Sequence, residues 1–426
     1  MPNYQQTVAE IFDLQQFAIK LGLDNIDALM KKLDNPHRAY AVIHIAGTNG
    51  KGSTAFYLAK ILEYAGLKTG LYTSPHLVDF RERIQVNGRQ ISEDGVINFW
   101  RRIKETVLDR KATFFDTTTA MAFNFFKTQQ VDVAVIETGL GGRLDSTNIV
   151  SPELSVITPV HFDHEKQLGK TLKEIASEKA GIIKPCSIVI SSEQEIESLE
   201  VLREKSKIAC QFYYLPELLN VKLVSSSLEG MEFTINDDMH NKLYENIYCK
   251  QLGDFQLNNI ALAYFASRIY MENNGFIFKN DQFKEVLKQN CWAGRLQLIQ
   301  RNPNIIFDVS HNLIGISKTL RYLAGLIDIK SLYILIGLVQ DKDYTGIART
   351  IAQYCSDITI TEPETHRKLD GEILETEFKK TNRKVTLIKD LNEAYDKCRK
   401  RLSGKSTLLV IGSHYLIGYL MKNKLI

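Results

Sequence analysis

Three features of this 426-residue sequence predict an α/β protein of two domains, the first built on a mainly parallel sheet with a small β-rich extension. Short apolar runs alternate with helical patterns over most of the length, which implies parallel strands joined by crossover helices. A glycine-rich loop, residues 44–54 (HIAGTNGKGST), stands between one apolar run and one helical pattern. The chain is also too long for one ordinary hydrophobic core, so two or three domains are expected.

In chain order, residues 41–46 read as a buried strand. Residues 53–65 (STAFYLAKILEYA) have the three-to-four apolar spacing of a helix. Strands are expected at 68–72, 132–136 (DVAVI) and 154–158 (LSVIT). Residues 116–126 (DTTTAMAFNFF) read as a helix whose Asp and Thr residues suit its N-terminus. The stretch 188–250 changes texture: short strand-like pieces (FYYL, VKLV, MEFTI, NIYC) separated by acidic turns suggest a β-rich tail on the first domain. Helices are expected at 253–271 and 281–289. A second alternating set follows, with strands at 296–299, 304–309, 332–338, 357–361, 384–388 and 407–411. The domains are therefore set at 1–293, a phosphate-loop ATPase type, and 294–426, a Rossmann-like α/β domain of ordinary size. The joint falls at residues 291–295 (CWAGR). A short joint between two α/β domains suggests a hinged pair with a ligand-binding cleft.

Composition excludes several classes. A hydrophobic share of 44% and a charged share of 24% are those of a globular protein outside the membrane. A net charge of +3 is too small to point to nucleic acid or a membrane surface. No apolar run is long enough to span a bilayer. The opening MPNYQQTVAEIFDL lacks the basic and apolar regions of a signal peptide, so a cytoplasmic location is expected. The six cysteines (186, 210, 249, 291, 355, 398) form no C-x-x-C pair, which argues against a zinc site and a disulfide framework and for single reduced thiols.

The loop carries the first chemistry. Strand, glycine-rich loop, helix is the order that presents backbone N–H groups to phosphate. Gly47, Gly50 and Gly52 allow close approach of the backbone. Lys51 would neutralise phosphate charge, and Ser53 can offer a hydroxyl to Mg²⁺. The spacing departs from G-x-x-x-x-G-K-[ST]: Gly47 is too close to the Gly-Lys pair, and Gly52 separates Lys from Ser. The bland alternative is a glycine-rich turn with a solvated lysine.

That off-pattern spacing, GTNGKGS, resembles the Mur ligase superfamily of ATP-dependent, amide-forming enzymes. Further segments narrow the resemblance to its folylpolyglutamate synthase and dihydrofolate synthase family. They are Ser74-Pro75-His76-Leu77 with Glu82-Arg83-Ile84; residues 137–148 (ETGLGGRLDSTN); Asp163-His164 with Gly169 and residues 178–182 (EKAGI); Gly253, Gln256 and Asn259; residues 292–295 (WAGR); and Asp308 with His311-Asn312. The resemblance runs from about Phe17 to Gly418.

The family implies a two-step reaction. A substrate carboxylate attacks the γ-phosphate of ATP, and the amine of L-glutamate then attacks the acyl phosphate. The products are an amide, ADP and phosphate. Such transfer needs charge neutralisation and alignment. The resemblance implies ATP contacts from Asn49, Gly50, Lys51, Gly52, Ser53, Asn259, Arg295 and Asp308, and Mg²⁺, as two ions, held by Ser53, Ser74, Glu137 and His164. It implies catalytic roles for Lys51, Lys179 and His311, with Lys179 carbamylated by CO₂. A monovalent cation remains an open addition.

For the pterin end, Phe114 and Phe115 offer aromatic surface, and Asp116 and Thr117 polar groups. The alternative there is a helix cap preceded by core aromatics. Leu144, Asp145 and Ser146 lie in the other candidate segment. Its GGRLD form resembles bacterial enzymes that add glutamate both to dihydropteroate and to reduced folates. The chain is expected to act as a monomer on these small molecules, with no nucleic-acid or membrane partner.

Three segments depart from the family's pattern: Phe255 replaces a histidine, Ala293 a proline, and residues 308–313 read DVSHNL. Taken residue by residue, Glu137 could be a strand-end surface acid, His164 a loop histidine, Lys179 a solvated helix lysine and Arg295 a hinge ion pair. Two other functions also stay open. One is a Mur-type ligase for another carboxylate, such as a cell-wall precursor; the other is a nucleotide-dependent binding module.

Overall fold

The computed structural model describes residues 3–16 and 22–424, and Phe17, where the resemblance begins, lies outside them. The chain divides into two compact units. The first comprises residues 1–221, 235–244 and 258–286, and the second 222–234, 245–257 and 287–426. Among the described residues, no helix is long and apolar enough to cross a membrane.

The first unit is organised by an eight-stranded sheet in the order β4-β3-β2-β5-β1-β6-β7-β8. Its strands are β1 (Ala41–Ala46), β2 (Thr69–Tyr72), β3 (Ile84–Val86), β4 (Arg89–Gln90), β5 (Val133–Glu137), β6 (Leu154–Ile157), β7 (Ile188–Ser191) and β8 (Gln211–Tyr214). The five ladders joining β2, β5, β1, β6, β7 and β8 are parallel, and only the β2-β3-β4 edge is antiparallel. β1 and β5 are buried almost throughout, as strands covered by helices on both faces must be. One face packs Val42, Tyr72, Ala134 and Ile136 against Phe123 and Phe126 of the Phe114–Gln129 helix and Trp100 and Ile103 of the Glu93–Arg110 helix. Further along the sheet the same face packs Ala46, Ile157 and Val189 against Ile175 and Ala176 of the Leu172–Ala180 helix.

Two expectations need correction. The stretch 188–250 is not one β-rich tail: 188–191 and 211–214 are β7 and β8 of the main sheet, with a helix at Ile196–Lys205 between them. Only β9 (Leu219–Ser227), β10 (Gly230–Asp237) and β11 (Lys242–Cys249) form the small separate sheet, ordered β11-β10-β9. Second, the helix after the glycine loop begins at Lys51, not Ser53, because Gly50 adopts a left-handed N-cap (φ 92°) that starts the helical turn early.

The second unit carries a six-stranded sheet ordered β12-β13-β17-β14-β15-β16. Its strands are β12 (Gln297–Gln300), β13 (Asn304–Asp308), β14 (Leu332–Ile336), β15 (Asp357–Ile360), β16 (Lys384–Leu387) and β17 (Thr407–Ile411). All neighbours are parallel except β12 and β13. The strands follow the six expected runs, shifted by a residue or two at their ends.

Candidate active site

The glycine loop leaves the C-terminal end of β1 and enters the Lys51–Tyr64 helix, so the helix's unpaired N–H groups face the loop. Two glycines are required by their surroundings. A Cβ on Gly47 (φ 147°) would collide with Thr158, and one on Gly50 would collide with the Asn259 side chain. Asn259 is thereby placed against the loop, as is its carbonyl, which accepts from Thr54 Oγ1 at 3.5 Å. The loop is fixed from the β6 side as well. The Thr48 N–H donates to Pro159 O at 2.9 Å, and Thr48 Oγ1 exchanges 3.0 Å hydrogen bonds with the His161 backbone. Lys51 folds its Nζ back onto Thr48 O at 3.3 Å. Ser53 is buried in the first turn of the helix.

Ser74, Glu137, the loop and His164 follow the C-terminal ends of β2, β5, β1 and β6, four consecutive parallel strands. Open parallel sheets gather ligand groups at this edge. Glu137 is the last residue of β5, paired with Ile45 of β1, and its carboxylate accepts from the Ser74 N–H at 3.1 Å. Both halves of the 74–84 segment serve its shape. Glu82 accepts from the N–H groups of Leu77, Val78 and Asp79 at 2.7–3.0 Å. Arg83 Nε donates to His76 Nδ1 at 2.8 Å, and burial with that guanidinium pushes His76 down to about 3, so its ring is neutral.

The donor set suits a hard divalent cation. Glu137 is a carboxylate only 4% exposed, Ser53 and Ser74 supply hydroxyls at the same edge, and the buried Thr138 hydroxyl has no protein partner among the described residues. Mg²⁺ takes few protein oxygens and keeps its waters. His164 is set apart: it occupies a left-handed backbone position, with its Nε2 3.9 Å from Asp163 Oδ1. No group of three or more His, Cys, Asp or Glu side chains with metal-binding proximity occurs among the described residues, so a cation here would rest on at most two such side chains, completed by hydroxyls and water.

Lys179 is not a solvated helix lysine. It is 4% exposed, and its Nζ donates to Gly47 O at 2.8 Å. Burial, reinforced by the charge of Lys51 and opposed by Asp163 and Asp145, pushes its ammonium down to about 7. The amine is thus partly neutral at neutral pH and sits on the phosphate loop. Its helix also clips the 139–148 loop. Arg143 N donates to Glu178 O at 2.7 Å, and Asn148 Nδ2 donates to Arg143 O and Gly181 O, both at 3.0 Å.

Asp145 faces inward. Its Oδ2 accepts from Leu140 N at 2.8 Å, and its Oδ1 accepts from Thr147 N at 3.0 Å and Thr147 Oγ1 at 2.5 Å. Burial pushes this carboxyl up, and those donors oppose the rise. The carboxylate therefore shapes its own loop, a role that spacing could not reveal. Asp116 and Ser146 do meet: Ser146 Oγ donates to Asp116 Oδ1 at 2.5 Å. Asp116 Oδ2 is the return arm of a capping box with Thr113, so the helix cap and the candidate polar group are the same residue. Thr117 donates back to Thr113 O at 2.9 Å and is buried. The tip of the Phe115 ring lies so close to Gly139 that a Cβ there would stand 2.5 Å from it. Leu144 is half-buried between the exposed Arg143 and Asp145.

The remaining candidates form a separate cluster in the second unit. Asp308 ends β13, level with Ile411 at the end of β17. It is 1% exposed, and accepts from Leu296 N and Ser310 N, each at 2.8 Å. Burial pushes it up, and the Ser310 hydrogen bonds and the Arg295 charge resist. Arg295 Nη2 lies 3.4 Å from His414 Nε2, and the His414 and His311 rings lie 5.3 Å apart. His414 was not expected; the signal available was its place just beyond a strand end in Gly412-Ser413-His414. Of the departures, Phe255 turns its ring onto Gly253, so an apolar contact stands where the pattern has a histidine.

Comparisons with known proteins cover both halves of the chain. Residues 45–267 match the Mur ligase middle domain and residues 294–414 the Mur ligase glutamate ligase domain. The chain is 33% identical over 356 residues to the dihydrofolate synthase/folylpolyglutamate synthase of Bacillus subtilis, covering 82% of each. It is 28% identical over 417 residues to the Escherichia coli protein of the same description, covering 96% of this chain and 93% of that one. Among solved structures it resembles Escherichia coli FolC in complex with DHPP and ADP, with a TM-score of 0.88 at 27% identity over 99% of this chain and 98% of that one. It also resembles Mycobacterium tuberculosis folylpolyglutamate synthase complexed with ADP and AMPPCP, with a TM-score of 0.87 at 28% identity over 97% and 98%.

Proposed function

This chain belongs to the dihydrofolate synthase/folylpolyglutamate synthase family of Mur ligases, and on that premise we propose that it joins L-glutamate to dihydropteroate and to reduced folates at the expense of ATP. The observation that carries the reading is the Ser74 N–H on the Glu137 carboxylate, one strand away from a phosphate loop whose backbone Lys179 holds. The GGRLD segment at 141–145 supports the two-substrate, bacterial form.

The pteroate or folate carboxylate attacks the γ-phosphorus of ATP, giving an acyl phosphate and ADP. The glutamate amine then attacks the acyl carbon, and phosphate leaves with the bond electrons. The N–H groups at the start of the Lys51–Tyr64 helix, with Asn49, Gly50 and Gly52, hold phosphate oxygens. Lys51 swings from Thr48 O to neutralise the transferring group. Asn259 keeps the loop at the nucleotide. Glu137, Ser53, Ser74 and, by resemblance, His164 would hold Mg²⁺. Bound there, the ions would supply charge neutralisation and alignment of the phosphates. Arg295, Asp308 and His311 take the nucleotide and phosphate roles that the resemblance implies, with guanidinium and imidazole as the donors.

Lys179 is proposed to carry a carbamate. An amine held near 7 reacts with CO₂ in its neutral form, and the product replaces a cation by an anion beside a site built for metal ions. NMR with isotope-labelled bicarbonate tests this: a carbamate resonance that Lys179→Arg removes is expected, and its absence from active enzyme would reject the modification. At the pterin end, Phe115 offers a stacking face. Asp116, Ser146, Thr117 and Leu144 line the substrate segment, with Asp145 holding its shape. The protein is proposed to work as a cytoplasmic monomer.

The test is coupled ADP release. It is expected only when glutamate is present together with dihydropteroate or tetrahydrofolate. Release with a cell-wall precursor instead would reassign the substrate; slow release with ATP alone would indicate a binding module; AMP formation would overturn the acyl-phosphate route.

A further inference from the structure

Cys186 and Cys210 immediately precede the neighbouring parallel strands β7 and β8, whose ladder pairs Ile188 with Gln211. Two backbone hydrogen bonds extend that ladder through both cysteines. Cys210 N donates to Ser187 O at 2.9 Å, and Cys186 N donates to Ile208 O at 3.3 Å. In regular strands this register would place Cys186 opposite Ala209 and Cys210 opposite Ser187, with the two thiols on opposite faces. Cys186 instead adopts a left-handed backbone (φ 63°), which breaks the alternation, and the two thiols are close enough to influence each other electrostatically. Both are exposed, whereas Cys249, Cys355 and Cys398 are buried. Positions one residue out of register on neighbouring strands lie ~4.8 Å across and ~3.3 Å along, a diagonal of about 5.8 Å, inside the ~4.4–6.8 Å Cα separation that a disulfide spans. The pair sits at the N-terminal ends of β7 and β8, the sheet edge opposite the phosphate loop and Glu137.

We propose that Cys186 and Cys210 form a redox modification site, a surface dithiol that low-molecular-weight disulfides convert reversibly into an intramolecular disulfide. One cysteine thiolate attacks a sulfur of the small disulfide, forming a mixed disulfide and releasing one small thiolate. The second cysteine thiolate then attacks the protein sulfur of that mixed bond, forming the Cys186–Cys210 bond and releasing the second small thiolate. Two protein thiols are oxidised by two electrons, one small disulfide is reduced to two thiols, and the two protons pass to those thiols. An exposed pair of this kind belongs to the labile class of disulfides, which thiols reopen.

The experiment uses the full chain, reduced and then incubated with glutathione disulfide. Expected are an intact mass lower by about 2 Da, protection of two of the six cysteines from alkylation, a linked peptide joining Cys186 to Cys210, and full reversal by dithiothreitol. Cys186→Ser and Cys210→Ser should each lose the link and retain one glutathione adduct on the surviving thiol. A trivalent phenylarsenical, which needs two adjacent thiols, should bind the reduced wild type and neither variant. Separate glutathione adducts on both cysteines of the wild type, a link to any other cysteine, or equal arsenical binding by the variants would overturn the proposal.

Discussion

His44 Nε2 lies 2.8 Å from Thr147 Oγ1, and the same hydroxyl lies 2.5 Å from Asp145 Oδ1. Burial, with a smaller contribution from the Lys184 charge, pushes His44 down to about 3, so the ring is neutral. The donor order follows: His44 Nε2–H to Thr147 Oγ1, and Thr147 O–H to the carboxylate. A residue on β1, just before the phosphate loop, thus orients the acid that shapes the 139–147 loop. Thr147→Val should leave both ends short of a partner and cost about 1–3 kcal/mol in a denaturation midpoint experiment, with KM for the pterin substrate rising more than KM for ATP. An unchanged midpoint would show that the relay holds nothing.

The same histidine gives a pH test. With the folded value near 3 and the ordinary value 6.5, the unfolded chain binds more protons between those limits. Stability attributable to His44 therefore rises with pH through that window and is lost on acidification. His44→Asn should flatten the urea-midpoint profile between pH 4 and 6 relative to wild type.

Lys179 acts at the other end of the scale. Its folded value of about 7 lies below the ordinary 10.5, so between these limits the unfolded chain again holds the extra proton. Stability should rise with pH across the window in CO₂-free buffer, with a slope of at most about 1.4 kcal/mol per pH unit. Lys179→Met, which keeps the apolar stem without the amine, should abolish that rise. Its ADP release should fall with it, because the bond to Gly47 O is lost.

Lys51→Ala should lower the rate of coupled ADP release by roughly 10²–10³-fold, the usual effect of deleting one preorganised charge at a transition state. Among the described residues, the Lys51 side chain makes one hydrogen bond, from Nζ to Thr48 O within its own loop, so far-UV circular dichroism should be unchanged. Near-normal turnover would remove Lys51 from phosphoryl transfer.

Gly50→Ala should strain a left-handed position, at about 1–2 kcal/mol, and push on the Asn259 side chain. ATP affinity is expected to fall. Adding Asn259→Ala should recover part of the fold stability but not the affinity. Simple additivity in this double-mutant cycle would show that the two residues do not touch.

What was legible in the sequence was local. Strand, loop and helix around residues 44–54 are contiguous, so their chemistry could be read from spacing, and Glu137 stood at a recognisable strand end. What was hidden depends on residues that meet only after folding. FYYL at 212–215 looks the same whether its strand joins a separate sheet or the main one, since period carries no information about partners. Nothing in GGRLDSTN reveals that the Asp145 carboxylate accepts from Leu140 and Thr147 and so shapes its own loop. Lys179 looked solvated because its helix has only modest amphipathic contrast. His44 and Thr147 stood inside two quoted motifs with no sign that they meet, and His414 lay outside every motif. Cys186 and Cys210 come close beside a left-handed backbone that a cysteine does not advertise.

The strand order also sets a timetable for synthesis. β1, which carries the phosphate loop, is made early, yet its two neighbours are β5 and β6, so the ribosome must add about a hundred further residues before either flank exists. Until residue 137 has emerged the loop has no Glu137 beside it, and until residue 158 it has no Thr158 to fix Gly47. A nascent chain should therefore ignore nucleotide for most of the translation of its first domain, and acquire affinity late and in one step, because contacts this distant in sequence form together or not at all.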